Sequence, residues 1–162
     1  RIGSEIISGE IEVPLATYET PLWPSVNRGA SVSMHTDKGI QCALIDDRMT
    51  RSILLEASDA TDAVRILQEV EKNDSDLISV AKSTSRFVKL IDIHSQVAGN
   101  LIFLRVAFKT GDAAGHNMCT KAAEAIMNHL LERFLSLKYE SISGNYCSDK
   151  KATAVNLSLI HI

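Results

Sequence analysis

The run Ser-Gly-Asn-Tyr-Cys-Ser-Asp-Lys-Lys at residues 143–151 gathers one acid and two bases, Asp149, Lys150 and Lys151, in a stretch of small polar residues. Adjacent ammonium groups in a loop suit the binding of an anion. A lone triplet of this kind is more often a solvated charge run, so its neighbours along the chain decide. Gly-Asp-Ala-Ala-Gly-His-Asn-Met at 111–118 is the second candidate. A helix opening there presents free backbone N–H groups and the positive end of its dipole, while Ala113, Ala114 and Gly115 lack the bulk that would hold a phosphate or ribose away. The plainer alternative is a capped helix start that binds nothing. Glu19 stands among Tyr18, Pro21, Trp23 and Pro24, where a hydrogen-bonded carboxylate would tie down a proline-rich turn without catalysis. Asn27-Arg28-Gly29 likewise reads as turn chemistry.

The elements that must position these residues follow from periodicity. Residues 52–58 read as a short strand, and Ser58 or Asp59 is placed to cap a helix whose apolar positions are Ala60, Ala63, Val64, Leu67 and Val70, ending at Asn73 and Asp74. Residues 86–95 form an imperfectly alternating strand, and a turn at Ala98-Gly99-Asn100 leads into Leu101–Phe108, where Ile102, Leu104, Val106 and Phe108 share one face. Asp112 is the expected N-cap of a long helix to about Phe134, with Met118, Ala122, Ile126, Leu130 and Phe134 four apart. Lys138–Ile142 completes the set as a strand. Strand, helix, strand, strand, helix, strand is the ferredoxin-like order, an α/β (α+β) fold with a small antiparallel sheet covered on one face by two helices.

In order and spacing, Ala-Thr-Tyr-Glu-Thr-Pro-Leu-Trp-Pro-Ser-Val-Asn-Arg-Gly (16–29), Asp-Asp-Arg-Met-Thr-Arg (46–51), Ser-Thr-Ser-Arg-Phe (83–87), 111–118 and 143–151 resemble 3-hydroxy-3-methylglutaryl-CoA reductase over about residues 10–156. The resemblance implies an oxidoreductase that uses NADPH, with NADH as the alternative, to reduce hydroxymethylglutaryl-CoA to mevalonate for isoprenoid biosynthesis. It makes 53–141 a small cofactor-binding domain, 1–52 the N-terminal part of a large substrate-binding domain, and 142–156 the active-site loop returning to it. Lys150 then matches the lysine that stabilises the oxyanion, and Glu19 the acid that delivers a proton to that oxygen. Arg51, Ser143, Asn145, Asp149 and Lys151 match substrate contacts. Ser85, Arg86, Phe87, Asp112, Ala114, Gly115, His116, Asn117 and Met118 match cofactor contacts, with Arg86 near the phosphates. Ala114 and His116 replace two methionines of the family's Asp-Ala-Met-Gly-Met-Asn, and Tyr18 and Thr20 flank Glu19 where the family usually has Thr and Gly. A homo-oligomer, at least a dimer, is implied, and a further Asp and a late His are expected beyond this sequence.

Composition narrows the alternatives. A net charge of −3 over 162 residues gives no basic excess for nucleic acid. Cys42, Cys119 and Cys147 are odd in number and widely spaced, so neither disulfides nor a metal site is expected, and a cytoplasmic setting fits. No apolar run nears the ~18 residues that span a bilayer. The absence of Gly-x-Gly-x-x-Gly argues against a Rossmann domain. Arg1 in place of Met, and the ending Leu-Ser-Leu-Ile-His-Ile at 157–162, give the expectation of an interrupted gene fragment with a non-native tail, inactive alone. Its flanks, 10–30 and 142–156, should leave Val13, Leu15, Leu22, Trp23 and Tyr146 exposed. The rival reading is a stand-alone ferredoxin-like ligand-binding or regulatory module without catalysis.

Overall fold

A computed structural model describes residues 1–44, 46–72 and 74–147. The chain divides into two compact units, Arg1–Asp46 and a second beginning at Asp47.

The first unit has little interior. Its strands β1 (Ile2–Gly3), β2 (Ser8–Gly9) and β3 (Ile40–Gln41) are two residues each, with β1 antiparallel to β2 and parallel to β3. Helix α1 (Leu22–Met34) starts directly after Pro21 and carries Pro24 in its first turn, where a missing N–H costs nothing. Asn27-Arg28-Gly29 therefore lies inside a helix, not at the expected turn, and Gly29 is not among the glycines with positive φ. Only Ser33 is buried among the unit's described residues.

The second unit holds the core. Its order is β4 (Met49–Glu56), α2 (Ala60–Lys72), α3 (Asp74–Thr84), β5 (Lys89–Ala98), β6 (Leu101–Lys109), α4 (His116–Arg133) and β7 (Lys138–Ile142). The strands form one sheet in the order β5-β6-β4-β7, every neighbour antiparallel. This is the ferredoxin-like topology that the element order predicts. Register sorts the side chains: Ile102, Leu104, Val106 and Phe108 of β6 lie opposite Leu55, Ile53, Arg51 and Met49 of β4. That face packs on Ala63, Ile66 and Val70 of α2, Leu77 and Ala81 of α3, and the Cys119, Ala122, Ala123, Ile126, Met127 and Leu130 stripe of α4. Each fully buried Ile, Leu or Phe contributes roughly 1.5–3 kcal/mol, so stability is concentrated here and not in the first unit.

Several boundaries differ from the sequence expectation. The first strand occupies 49–56, earlier than 52–58, because pairing with β6 continues to Met49 opposite Phe108. The crossover to β5 holds two helices, not the single one expected; α3 buries Leu77 and Ala81 at i, i+4 spacing. Strand β5 runs 89–98 and its alternation breaks at a register shift between Leu90 and Asp92, a bulge on the sheet's edge strand. The Asp59 cap holds: its Oδ1 accepts the Asp62 N–H at 2.9 Å.

Candidate functional site at one end of the sheet

Antiparallel order makes β4 and β5 begin where β6 and β7 finish. Met49 lies opposite Phe108, Lys89 opposite Lys109, and Ile142, opposite Ile53, runs directly into Ser143. Arg133 in the last turn of α4 meets Asp76 in the first turn of α3 at 3.8 Å, so the C-terminus of α3 lies at the end where α4 starts. Four stretches far apart in sequence therefore share one end of the sheet: 48–51, 84–89, 109–118 and 143–147. All the second-unit candidates within the described residues are in or beside them.

The 111–118 segment differs from its predicted form. Helix α4 starts at His116, and its N-cap is Gly115 in the left-handed region at φ 86, not Asp112. Asp112 is exposed, while the Thr110 hydroxyl donates to the Ala113 carbonyl at 2.7 Å and closes a turn ahead of the helix. Gly115 is required twice, by its φ and because a Cβ there would run into the Thr110 side chain. The first turn carries no acid and receives no side-chain cap. Its leading N–H groups and dipole thus favour an anion. Ala114, His116 and Asn117 are exposed and Met118 is half-buried.

Arg86 is exposed, with its guanidinium 4.6 Å above the Phe87 ring, and the Ser85 hydroxyl accepts the Phe87 N–H at 3.2 Å. Lys89 and Lys109, which the sequence reading did not select, stand directly opposite each other on neighbouring strands. Like charges so placed repel, and an anion between them relieves the repulsion. Their signal appears only once register is known. Arg51 points its flank to the helix-covered face, and its Nε is buried with no hydrogen-bond partner among the described residues. An unsatisfied buried donor is costly and marks a place for an acceptor. The uncapped helix start, exposed Arg86 and opposed lysines suit an anion such as a phosphate group.

Loop 143–147 departs sharply from β7. Ser143, Gly144 and Asn145 have φ of 105, 47 and 57, and the two non-glycine residues carry strain of order 1–3 kcal/mol each. The Ser143 N–H donates to the Ser52 carbonyl at 2.7 Å and the Tyr146 N–H to the Ser143 carbonyl at 3.0 Å. Cys147 is buried and its Sγ accepts the Ser52 N–H at 3.3 Å, with the Ser52 and Ser143 hydroxyls at 3.5 and 3.7 Å. The Tyr146 Oη lies 2.7 Å from His94 Nδ1. Tyr146, expected on an exposed flank, is instead half-buried against the sheet. Asp149, Lys150 and Lys151 lie outside the described residues.

Glu19 belongs to the first unit and is exposed. Its N–H donates to the Thr17 hydroxyl at 3.1 Å and its carbonyl accepts the Leu22 N–H at 3.0 Å, which leads the chain into α1. Its carboxylate has no hydrogen bond among the described residues, so the turn-tying role considered for it is not seen. No cluster of three or more His, Cys, Asp or Glu suited to a metal occurs among the described residues. No helix among them is long and apolar enough to cross a membrane.

The hydroxymethylglutaryl-coenzyme A reductase family model matches residues 3–161, and the chain belongs to that family. The match passes Asn156, where the sequence reading ended the resemblance. Its relatives include the 3-hydroxy-3-methylglutaryl-coenzyme A reductases of Pyrococcus abyssi, 42% identical over 98% of this chain and 39% of that protein, and Strongylocentrotus purpuratus, 42% identical over 91% and 16%. The chain thus spans well under half the length of these relatives. Among solved structures, it resembles the class II enzyme from Streptococcus pneumoniae bound to NADPH in open conformations, with a TM-score of 0.58, 17% identity, and coverage of 82% of this chain and 37% of that one. That likeness concerns the fold.

Proposed function

We propose that this chain is the cofactor-binding part, with adjoining pieces of the substrate site, of a reductase that converts hydroxymethylglutaryl-CoA and NADPH to mevalonate and CoA. Residues 53–141, together with the start of β4 at 49–52, are the small NADP-binding domain, and 1–46 and 142–156 belong to the large substrate domain. The enzyme works in the cytoplasm as a homo-oligomer of at least two chains. The observation that carries this reading is the convergence of Arg51, Arg86, the start of α4 and loop 143–147 at one end of one sheet. A regulatory module has no use for that convergence, and family membership supports the enzyme. NADPH use is supported by the bound coenzyme of the Streptococcus pneumoniae relative.

Reducing a thioester to an alcohol takes two hydride transfers, one from each of two coenzyme molecules bound in turn, and the C–S bond breaks between them, releasing CoA as a thiolate that takes up a proton. Each transfer leaves negative charge on the former carbonyl oxygen. Lys150 meets that charge with its ammonium group, a contribution realised in the transition state. Glu19 delivers the proton that neutralises the oxygen. Arg51, Ser143, Asn145, Asp149 and Lys151 would hold the acyl group for the reaction. Arg86, beside Ser85 and Phe87, would hold the extra phosphate of NADPH, and Asp112, Ala114, Gly115, His116, Asn117 and Met118 would line the rest.

Coenzyme titration tests the assignment. Arg86→Ala is expected to weaken NADPH roughly tenfold or more and NADH little, since only NADPH offers the added charge. Equal losses for both coenzymes would remove Arg86 from the phosphate site.

A further inference from the structure

The chain leaving β7 does not simply turn back to solvent. In the sheet order β5-β6-β4-β7, it touches β4 through Ser143 and Ser52 and reaches across to the two strands farthest from where it started. There Tyr146 is held on three sides. Its hydroxyl lies 2.7 Å from His94 Nδ1 on β5, its ring meets Phe103 of β6 edge-on at 5.7 Å, and the Arg105 guanidinium lies 5.0 Å from its centroid. His94 and Arg105 are direct ladder partners, and Phe103 lies two residues from Arg105, so the seat is on the sheet face without helices. Cys147, 3% exposed, is then brought under the loop onto the Ser52 N–H.

We propose that Tyr146 is a positioning residue: its seat on His94, Phe103 and Arg105 fixes the chain immediately after the left-handed run 143–145 and so places Ser143 and Asn145 for the reaction. The role rests on the function proposed above. The seat itself does not, because it is built from contacts within this unit. A segment with three successive positive φ values has no regular hydrogen-bond ladder to keep it in place, and the tyrosine supplies a fixed point immediately after it. Tyrosine suits the task because its ring takes the arginine and phenylalanine while its hydroxyl takes the histidine.

The thiol beneath the loop reports on the seat. Reaction with an aromatic disulfide reagent, followed cysteine by cysteine by mass spectrometry, should show Cys147 protected in the full chain. Tyr146→Ala should accelerate its modification roughly tenfold or more by freeing the loop, with Tyr146→Phe intermediate and Cys119 in the core unchanged. Unchanged Cys147 reactivity in Tyr146→Ala overturns the seat. If Cys119 accelerates equally, the unit itself has opened, and His94→Gln decides: a Cys147 as protected as in the parent overturns the proposal. In the full-length enzyme, Tyr146→Ala should lower kcat roughly 100-fold with NADPH affinity unchanged, and Tyr146→Phe should recover most of it. A freed loop with normal kcat overturns both the positioning role and the assignment of 143–151 to the substrate site, while leaving the seat intact.

Discussion

A backbone N–H inside a sheet must find an acceptor, and at Ser52 the partner strand has already turned away. The Cys147 thiol takes the place of the missing carbonyl at 3.3 Å. Cys147→Ala would leave that donor buried and unpaired and should cost about 1–3 kcal/mol, whereas Cys147→Ser, whose hydroxyl also accepts, should cost less. Urea unfolding of the two variants measures the difference; equal stability would mean that Ser52 finds another acceptor. The role proposed for Lys150 belongs to the transition state alone. Lys150→Ala in the full-length enzyme should lower turnover by about 100–1000-fold while leaving NADPH binding nearly intact, and Glu19→Gln should act in the same direction. Near-normal turnover in steady-state kinetics would take either residue out of the mechanism. Gly115 shows how a site residue acquires a second constraint. Its glycine looks like room for a ligand in sequence, yet in the fold it is demanded by left-handed backbone and by Thr110.

At the scale of elements, periodicity carried what is local and strong. The β6 stripe of Ile102, Leu104, Val106 and Phe108, the α4 stripe and the Asp59 cap were legible because each rests on one element's own spacing. The split of the crossover into α2 and α3 was not, since the short run Leu77-Ile78-Ser79-Val80-Ala81 suits strand and helix alike until its partners are known. The start of α4 was misplaced because Asp112 has the right chemistry for a cap, but the Thr110 turn takes the backbone first. Lys89 facing Lys109, and His94 facing Arg105, were illegible because they depend on register across a bulge. The candidate site was legible mostly through resemblance; the geometry that unites it required the sheet. Helix α2 also yields a pH prediction. Hydrogen bonds from Ser136, the Arg65 guanidinium and Ser58 hold the Asp62 carboxyl at about 2, below its ordinary 3.8. A depressed carboxyl stabilises the fold fully above its unfolded value, and that contribution is lost as pH falls through the folded one. Asp62→Asn should therefore flatten the acid side of the stability profile between about 3.8 and 2, as read by denaturant midpoints over a pH series. A profile as steep as the parent's would assign the acid sensitivity elsewhere.

At the scale of the whole chain, the two units differ in what can hold them. The second closes a core of sheet and helices, with Ile53, Phe108 and Ala122 wholly buried. The first buries only Ser33 among its described residues, and its strands are too short for cooperative pairing. Val13, Tyr18, Trp23 and Val32 are 66%, 104%, 51% and 67% exposed, apolar surface that lacks packing to cover it. A 13-residue helix such as α1 is marginal in water without such packing. In hydrogen exchange by mass spectrometry, peptides from β4, β6 and α4 should retain amide protons longest, while those from 10–30 should exchange as fast as an unprotected chain or become protected only as the protein self-associates. Adding NADPH should slow exchange at 84–89 and 109–118 and leave 10–30 unchanged, because the proposed coenzyme contacts all lie on the second unit. Strong protection of 10–30 in a monodisperse monomer would show that the first unit has a core of its own. Coenzyme-induced protection confined to 10–30 would move the cofactor site off the sheet altogether.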